Sequence, residues 1–287
     1  MKKNRAFLKW AGGKYPLIED IRRHLPAGDC LIEPFVGAGS VFLNTDYEKY
    51  ILADINSDLI NLYNIVKERT VEFIGDARLL FDEDANTSLI YYQLRSEFNL
   101  CTDAYRRAIL FLYLNRHCYN GLCRYNLSGE FNVPFGRYKK PYFPENELHW
   151  FAEKSQKAIF VCEHYQQTLE KAAQGSVVYC DPPYVPLSTT ANFMAYHTNS
   201  FNNLEQQNLA RIAYRLASEE QVPVLISNHD TVLTREWYCD AALHVVKGRR
   251  TISRNILGRS KVDELLALYY YADQPRAADS ADKQAID

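Results

Sequence analysis

The residues best suited to chemistry are the tetrapeptide Asp181-Pro182-Pro183-Tyr184, which directly follows the apolar run 177–180. That run predicts a buried strand, so the tetrapeptide lies at a strand's carboxyl end, where open α/β sheets bind their ligands. The Asp181 carboxylate and a carbonyl of Pro182 or Pro183 can each accept one proton of an exocyclic amine, and Tyr184 can stack on the ring that carries the amine. Such acceptors favour the more positive amine nitrogen of a transition state. The alternative is an ordinary proline turn in which Asp181 only caps.

Two glycines and an acid form a second group. Residues 31–42 predict a strand, a turn containing Gly37 and Gly39, and a helix that starts near Ser40. A second strand, 50–53, ends at Asp54, seventeen residues after Gly37. Nucleotide-binding units use an acid about 20 residues after the first glycine to bind ribose hydroxyls. The spacing predicts a site for an adenosine-containing cofactor, and the alternative is that Asp54 only caps the helix 57–69.

A third candidate is the segment Lys9-Trp10-Ala11-Gly12-Gly13-Lys14, ahead of a predicted helix over 16–24. Its glycines let the backbone approach a ligand closely, and its lysines suit a small anion. A plain turn before the helix would use the same residues.

Composition limits the class of protein. An apolar content of 47% over 287 residues is enough for a folded core, and the chain contains no run of about 18 apolar residues and no signal-peptide pattern, so we expect a cytoplasmic protein. The seven cysteines are scattered without a Cys-x-x-Cys pair, which argues against disulfides and a zinc knuckle. The cluster His117, Cys118 and Cys123 raises a metal site as an alternative, but we expect none.

Positive charge is concentrated locally although the net charge is −2. Between residues 104 and 142 the only acid is Glu130, and between 247 and 261 there is none. Basic stretches interleaved with Tyr, Asn and Phe indicate a polyanion site, and a solvated charged face is the alternative. The basic residues of the two stretches are Arg106, Arg107, Arg116, Arg124, Arg137, Lys139 and Lys140, then Lys247, Arg249, Arg250, Arg254, Arg259 and Lys261.

Hydrophobic periodicity predicts an α/β fold with an insertion. Four successive helices without strands between them mark an inserted block, 57–143, between the parts 1–56 and 144–271 of an alternating α/β domain. We expect a polar lid over 185–202, a basic loop over 248–261 and a disordered tail over 272–287. The predicted helices are 57–68, 70–81, 88–99, 103–117, 145–157, 164–173, 204–219 and 231–239, and the later strands are 159–162, 177–180, 222–227, 243–247 and 262–270.

The end of the inserted block, 119–137, predicts a β-hairpin with its turn at Ser128-Gly129. Arginine can bind guanine through two hydrogen bonds, asparagine suits adenine, and apolar side chains can contact thymine or wedge between bases. The hairpin contains all three types.

The order of these motifs resembles that of amino-methyltransferases acting on DNA adenine. Five segments in particular resemble the Dam-type DNA adenine-N6 methyltransferases of enteric bacteria, and the resemblance covers nearly everything before the tail. The segments are Phe7 to Lys14, Glu33 to Phe42, Asn120 to Asn126, Phe131 to Tyr142 and Val262 to Tyr269.

The resemblance implies a Rossmann-like S-adenosylmethionine-dependent methyltransferase sheet in 1–56 and 144–271, and an inserted, mostly helical DNA-recognition domain carrying a β-hairpin in 57–143. It implies transfer of a methyl group from S-adenosyl-L-methionine to N6 of adenine in duplex GATC, by base flipping and direct in-line transfer without a metal. It also implies links to mismatch repair strand choice, replication and gene regulation. We expect a monomer, because no dimerisation helix is evident.

The resemblance also assigns roles to residues. The catalytic residues are Asp181, Pro182, Pro183 and Tyr184. The cofactor-binding residues are Trp10, Lys14, Phe35, Gly37, Gly39, Asp54 and Asp181. The DNA-binding residues are Lys9, Arg95, Arg116, Tyr119, Asn120, Leu122, Arg124, Asn126, Asn132, Pro134, Arg137 and Tyr138.

The chain departs from the family pattern at His117-Cys118, at 255–258 and in the tail. Two other functions stay open at this point. One is an RNA adenine methyltransferase or a restriction-linked DNA methylase with another site, although the RNA major groove is too narrow for side chains to read. The other is a DNA-binding regulator that retains a decayed methylase fold, against which the intact Asp181 and Asp54 argue.

Overall fold

The structure is a computed structural model that describes residues 3–185, 201–247 and 263–270. Three predicted segments lie outside the described residues. They are the lid apart from its ends, the basic loop with the departure at 255–258, and the tail. No described helix is long and apolar enough to cross a membrane.

The described elements follow the predicted alternation closely, with most boundaries within two or three residues. The α-helices are Ile18–His24 (α1), Ser57–Glu68 (α2), Thr70–Arg78 (α3), Ser88–Leu100 (α4), Ala104–His117 (α5), Glu145–Ser155 (α6), Tyr165–Leu169 (α7), Asn203–Glu219 (α8) and Val232–Trp237 (α9). The β-strands are Cys30–Glu33 (β1), Lys49–Asp54 (β2), Ala158–Cys162 (β3), Ser176–Cys180 (β4), Val224–His229 (β5), Ala242–Val246 (β6) and Glu264–Tyr269 (β7).

The described strands form one seven-stranded sheet in the order β3-β2-β1-β4-β5-β7-β6. Strand β1 is parallel to β2 and β4, β4 is parallel to β5, and β7 is antiparallel to β5 and β6. The predicted α/β fold is confirmed. The strand order reverses between β1 and β4, and open α/β sheets bind ligands at the carboxyl ends of the strands where this happens. Ile32 of β1 pairs with Val178 of β4. Three residues beyond each of them, Phe35 and Asp181 therefore follow their strands at equivalent positions.

The chain divides into two compact units. The first contains Met1–Tyr15, Val36–Asn44 and Ala53–Glu163, and the second contains Pro16–Phe35, Thr45–Leu52 and His164–Asp287, each over its described residues. The predicted division into a catalytic domain, 1–56 with 144–271, and a recognition domain, 57–143, stays a prediction.

In the second unit, α8 supplies a helical face to the core. Its residues Leu209, Ala213 and Leu216 are at most 5% exposed and recur at helical spacing, so one face of the helix is apolar. The Asn202 side chain begins the helix by accepting hydrogen bonds from the backbone N–H groups of residues 204 and 205. This face packs with β4, β5 and β7.

In the first unit, helix α5 is the centre of the core. Every residue from Ala108 to His117 is buried, which explains why its sequence is apolar on all sides rather than amphipathic. Asp103 caps the amino end, where its carboxylate accepts a hydrogen bond from the Arg106 backbone N–H. The predicted succession of helices is confirmed.

Two elements differ from the prediction. The helix expected to start near Ser40 is one 3-10 turn, Phe42–Asn44, because the Asn44 side chain donates to the Ser40 carbonyl that a longer helix would use. Strand β5 begins at Val224 rather than at residue 222. Pro223 lacks the N–H that a ladder needs, although its carbonyl accepts a hydrogen bond from Val178.

Candidate functional site

Asp181 follows β4 directly and lies next to Ser227 of β5 in the second unit. The Ser227 hydroxyl lies 3.1 Å from Asp181 Oδ1 and 3.0 Å from the Tyr179 hydroxyl. Since Cys180 pairs with Ile226, the next residues along the two parallel strands are brought side by side. The sheet therefore fixes the direction of the Asp181 carboxylate, which is half-buried.

Tyr184 is held at both its hydroxyl and its ring. The hydroxyl donates to Glu264 Oε2 at 2.7 Å, and the ring lies edge-to-face with His229 at 4.7 Å between centroids. Burial raises the pKa of the Tyr184 hydroxyl, and the neighbouring Asp181 charge raises it further. The hydroxyl therefore stays protonated and keeps donating at neutral pH.

Two amides contact the backbone on either side of Tyr184. Gln206 Nε2 donates to the Pro183 carbonyl at 2.7 Å, and Asn228 Oδ1 accepts from the Val185 N–H at 3.2 Å. Neither these residues nor Ser227 and Glu264 were predicted as site residues. One signal was present in the sequence: a polar run from Ser227 ends an otherwise apolar strand.

Phe35 lies at the equivalent position beyond β1, in an aromatic group. Its ring stacks on Tyr165 at 5.4 Å and meets Phe201 edge-to-face at 5.4 Å. The Tyr165 hydroxyl donates to Glu205 Oε2 at 2.6 Å. The half-buried Phe35 ring thus presents a fixed apolar surface at this edge of the sheet.

In the first unit, Asp54 organises the glycine turn. Its carboxylate accepts hydrogen bonds from the Gly37 N–H at 3.1 Å and from the Asn56 N–H at 3.0 Å. Burial raises the pKa of Asp54, while these N–H donors oppose the shift. The helix cap itself is Asn56, whose Oδ1 accepts from the N–H groups of Asp58 and Leu59. The capping role weighed for Asp54 thus belongs to its neighbour.

The glycine turn lies against the Trp10 indole. Gly37 has a φ of 46° and Gly39 a φ of 69°, values that side-chain-bearing residues rarely adopt. A Cβ atom on Gly37 would come 2.9 Å from Trp10 Nε1. Lys14 is only 5% exposed, and its ammonium donates to the Gly12 carbonyl at 2.6 Å. Backbone and indole therefore form a cradle whose close approach only glycine permits.

The predicted hairpin is built from two isolated bridges rather than from long strands. Tyr125 pairs with Phe131 and Cys118 pairs with Phe135, both antiparallel. The turn at Ser128-Gly129 is confirmed by the Gly129 φ of 76°. Its geometry is set by Asn126, whose side chain accepts from the N–H groups of Ser128 and Glu130 and donates to the Glu130 carboxylate at 2.8 Å.

The base of the hairpin is anchored to the helices. The Tyr125 hydroxyl donates to Asp58 Oδ2 at 2.6 Å, and Arg107 forms an ion pair with the same carboxylate. Asn56 Nδ2 lies 3.4 Å from Cys123 Sγ. The hairpin is thus a projecting loop on a fixed support within the first unit.

Arg124 projects from this support and is exposed, and Asn132 orients it. The Arg124 Nε atom donates to Asn132 Oδ1 at 2.7 Å, and Nη2 lies 3.4 Å from the Asn132 carbonyl. The Tyr119 ring is also 42% exposed, so it does not pack inside the hairpin. Asn120 and Arg137 both have a φ of 55°, which bends the chain sharply at the two ends of this region.

Several of the other predicted DNA-binding residues are less exposed, although Pro134 is exposed. The Lys9 ammonium lies over the Tyr138 ring at 3.9 Å and donates to the Arg116 carbonyl at 3.3 Å, and burial lowers its pKa. The Arg116 side chain is nearly buried and donates to the Tyr142 carbonyl. Arg95 donates to the Val133 carbonyl at 3.1 Å. The Pro134 carbonyl accepts from the Tyr119 N–H. Leu122 is half-buried.

Only some of the basic side chains between residues 104 and 142 therefore carry their charge on the surface. Arg106 is paired with Glu97 and Arg107 with Asp58. The exposed cations that remain are Arg124, Arg137, Lys139 and Lys140, all in or directly after the hairpin. Among the described residues no group of three or more His, Cys, Asp and Glu side chains could hold a metal ion.

Comparison with known proteins agrees with the motif order. The profile of the D12 class N6 adenine-specific DNA methyltransferases matches residues 10–252. A DNA adenine methylase of Serratia marcescens is 77% identical over 269 residues, covering 94% of this chain and 100% of the relative. The DNA adenine methylase of Escherichia coli K12 is 70% identical over 269 residues, covering 94% of this chain and 96% of the relative. That of Vibrio cholerae serotype O1 is 60% identical over 269 residues, covering 94% of this chain and 97% of the relative.

The resemblance to Dam-type enzymes is thereby confirmed, as is the prediction of an adenine-specific DNA methyltransferase. The tetrapeptide after β4 and the glycine turn with Asp54 both lie inside the matched range. The chain belongs to the D12 class of N6 adenine-specific DNA methyltransferases.

Proposed function

We propose that this enzyme transfers the methyl group of S-adenosyl-L-methionine to N6 of the adenine in duplex GATC, after that adenine has been flipped out of the helix. The observation that carries the proposal is the tetrapeptide Asp181–Tyr184 at the carboxyl end of β4, beside the strand at which the sheet order reverses. Its carboxylate is oriented by Ser227 and its tyrosine ring is fixed by Glu264 and His229. A flat base with an exocyclic amine fits these groups.

The sequence left two candidates, the carbonyls of Pro182 and Pro183, for the group that accepts the second proton of the amine. Gln206 already donates to the Pro183 carbonyl. We therefore propose that Asp181 accepts one proton of the adenine amine and the Pro182 carbonyl accepts the other, while Tyr184 stacks on the base. Both acceptors stabilise the positive charge that develops on N6 as its lone pair leaves the ring. Holding the amine in this alignment is most of the catalytic contribution, and no covalent enzyme intermediate is needed.

The residues of the glycine turn fit the proposed cofactor. Each Asp54 carboxylate oxygen accepts one backbone hydrogen bond and has a second lone pair for a ribose hydroxyl. Gly37, Gly39 and Trp10 would border the cofactor at the cradle, with Lys14, Phe35 and Asp181 as further contacts. When bound, S-adenosyl-L-methionine supplies an electrophilic methyl group on its sulfonium.

The hairpin supports recognition of bases in a major groove. Arg124 is exposed, oriented by Asn132 and carried on a loop tied to two helices, as a base-reading side chain must be. The remaining predicted DNA contacts, from Lys9 to Tyr138, stay proposals. Tyr119 is exposed enough to fill the space that an extruded adenine leaves, and extrusion costs a few kcal/mol that stacking on Tyr184 partly offsets.

The proposal is tested by incubating unmethylated plasmid DNA with the enzyme and S-adenosyl-L-methionine. Digestion with nucleases that separate methylated from bare GATC should reveal complete protection against the nuclease that methylation blocks. Methyl groups found at another sequence would refute the site. The links to mismatch repair, replication and gene regulation belong to the same proposal, because each would read the methylation state of GATC.

Tritium transfer to duplex DNA and to structured RNA separates the two nucleic-acid substrates. We expect label in the DNA alone. A protein that binds GATC duplex but never consumes S-adenosyl-L-methionine would instead support the decayed regulator. We also propose that the enzyme is a monomer, which sedimentation with and without DNA would check.

A further inference from the structure

Two buried amide side chains hold the peptide groups on either side of Tyr184. Gln206 of α8 donates to the carbonyl of Pro183, before the tyrosine, and Asn228 of β5 accepts from the N–H of Val185, after it. The side chains come from elements distant in the sequence, and the two residues are 2% and 0% exposed. We call Gln206 and Asn228 the amide clamp.

The hydrogen bonds allow only one orientation of each amide. The Pro183 carbonyl can only accept, so Gln206 must present its nitrogen to it. The N–H groups of Val185 and His229 can only donate, so Asn228 must present its oxygen to both, at 3.2 and 2.9 Å. The Asn228 nitrogen is then left to face Gln206 Oε1 at 3.1 Å. Both orientations follow from the chemistry of the partners.

Tyr238 completes the cluster through its hydroxyl. Its hydroxyl donates to Gln206 Oε1 at 3.1 Å and accepts from Asn228 Nδ2 at 3.0 Å. All four hydrogen-bonding positions of the Asn228 amide are therefore used. A cluster with this many fixed partners resists rotation of any one member.

The position of Gln206 is unusual for a helix that packs on a sheet. It lies on the same buried face as Leu209, Ala213 and Leu216, where the pattern favours an apolar residue. A buried amide destabilises the fold unless it is hydrogen-bonded. Two successive prolines also deprive the tetrapeptide of the N–H groups that would otherwise hold it. The amide clamp supplies the missing restraint from outside.

We infer that Gln206 and Asn228 are positioning residues for methyl transfer. They fix the peptide groups that carry the Tyr184 ring, and so set the separation between that ring and the Asp181 carboxylate. This inference rests on the proposed function of the tetrapeptide as the adenine site. A small displacement of one group in such a site lowers turnover strongly while leaving contacts with the rest of the DNA intact.

The test compares Gln206→Glu with Tyr238→Phe. The glutamate keeps an oxygen for Asn228 and Tyr238 but, as a carboxylate, has no N–H for the Pro183 carbonyl. The phenylalanine removes two hydrogen bonds from the same cluster, those of the Tyr238 hydroxyl with Gln206 and Asn228, and leaves both clamp contacts to the backbone. Because a buried carboxylate can unfold the protein, the neutral Gln206→Met is a second variant that lacks the same donor.

For each variant we would measure methyl incorporation into unmethylated genomic DNA at saturating DNA and S-adenosyl-L-methionine, the Kd for DNA, and the melting temperature. We expect kcat to fall about tenfold to a hundredfold in the folded Gln206 variants, with a Kd for DNA within about threefold of the wild type. For Tyr238→Phe we expect kcat within about threefold. Positioning by the clamp is overturned if a folded Gln206 variant keeps wild-type kcat, or if all variants lose kcat in proportion to melting temperature.

Asp181→Ala in the same assay distinguishes the clamp from the proposed function. If Asp181→Ala is active, the tetrapeptide is not the adenine site and both ideas are wrong. If Asp181→Ala is inactive while a folded Gln206 variant is fully active, only the clamp is wrong. Because incorporation is counted over genomic DNA, an error in the proposed GATC site leaves the comparison unchanged.

Discussion

At the scale of single residues, Asp181 has the clearest chemical role. It is half-buried at a strand end and its carboxylate is oriented by Ser227. A carboxylate placed in this way can accept from an amine proton without moving, and such preorganisation is the main source of electrostatic catalysis. The contact with Ser227 also explains why the serine interrupts an apolar strand.

We expect Asp181→Ala to lower kcat about a hundredfold to a thousandfold while DNA binding persists, because in the proposed mechanism the carboxylate contacts the extruded base and not the duplex. Single-turnover kinetics with a parallel DNA-binding titration would measure both. Ser227→Ala is the matched control and should lose much less activity, since it removes only the group that orients the carboxylate. Turnover close to wild type in Asp181→Ala would remove the central mechanistic claim.

Asp54 combines a structural and a proposed binding role. We expect Asp54→Ala to raise the Kd for S-adenosyl-L-methionine about tenfold to a hundredfold, corresponding to roughly 1.5 to 3 kcal/mol for charge-assisted hydrogen bonds to ribose. Isothermal titration measures the change, and DNA binding without cofactor serves as the control because it should barely alter. Unchanged cofactor affinity would leave Asp54 with only its contacts to Gly37 and Asn56.

Arg124 tests whether the hairpin reads bases. If it binds a guanine edge, Arg124→Ala should cost about 1 to 3 kcal/mol at that base and reduce discrimination against near-cognate sites. Asn132→Ala, which removes the group that orients Arg124, should reduce discrimination in the same direction but less. The measurement is kcat/KM on GATC and on duplexes altered at one base, at two salt concentrations. An equal loss on every duplex, with a smaller salt slope, would mean that Arg124 contacts a phosphate instead.

At the scale of elements, the hairpin depends on its attachment more than on its own ladder. Two bridges join its sides, and the contact from Tyr125 to Asp58 and the ion pair from Asp58 to Arg107 help to hold its base. A two-stranded hairpin alone is at best marginally stable in water. Anchoring to α2 and α5 therefore contributes to the stability of the hairpin.

We expect Tyr125→Phe to lower the free energy of unfolding by about 1.5 to 3 kcal/mol, because it removes a partly buried hydrogen bond to a carboxylate. Discrimination between GATC and altered sites should fall with it, as the hairpin loosens. Denaturant titration and competition methylation assays measure the two effects. Tyr92→Phe on α4 is the control, since no hydrogen bond to the Tyr92 hydroxyl occurs among the described residues. Full discrimination in Tyr125→Phe would show that the hairpin is held by other contacts.

At the scale of the whole molecule, the buried His117, one of the two residues at which the chain departs from the family pattern, links stability to pH. His117 is fully buried at the end of α5, stacked on Tyr113 at 3.9 Å and edge-to-face with Phe81. Its Nδ1 atom bonds the Tyr113 carbonyl, while Nε2 has no partner among the described residues. Burial lowers the pKa of His117 from 6.5 to about 4.

Because the folded pKa lies below the unfolded one, the unfolded chain binds the proton more readily. The contribution to stability is therefore complete above pH 6.5 and is lost as the pH falls toward 4, by about 3 kcal/mol in total. We expect His117→Phe, which keeps the aromatic contacts, to flatten this part of the stability curve and to be close to wild type at pH 7. Urea unfolding at several pH values would measure it. An unchanged pH dependence in His117→Phe would assign the loss to other groups.

The sequence alone determined the family and most of the elements, and it indicated the motifs that we propose for the chemistry. Asp181 to Tyr184 and the pair Gly37 and Asp54 were identified from residue type and spacing, because strand ends and glycine turns are encoded by neighbouring residues. Helix positions such as 57–68 agreed closely with the structure for the same reason. The family followed from the order of these local motifs, since motif order is a property of the chain itself.

Only the tertiary structure decided which polar groups support the site. Gln206 appears in the sequence as one polar residue of an amphipathic helix, and Arg107 and Arg116 appear as part of a basic surface. In the fold Gln206 is buried against Pro183, Arg107 is paired with Asp58, and Arg116 is covered by Tyr142. Periodicity reports which side of an element faces the core, whereas a hydrogen-bond partner 20 to 50 residues away depends on how the elements pack.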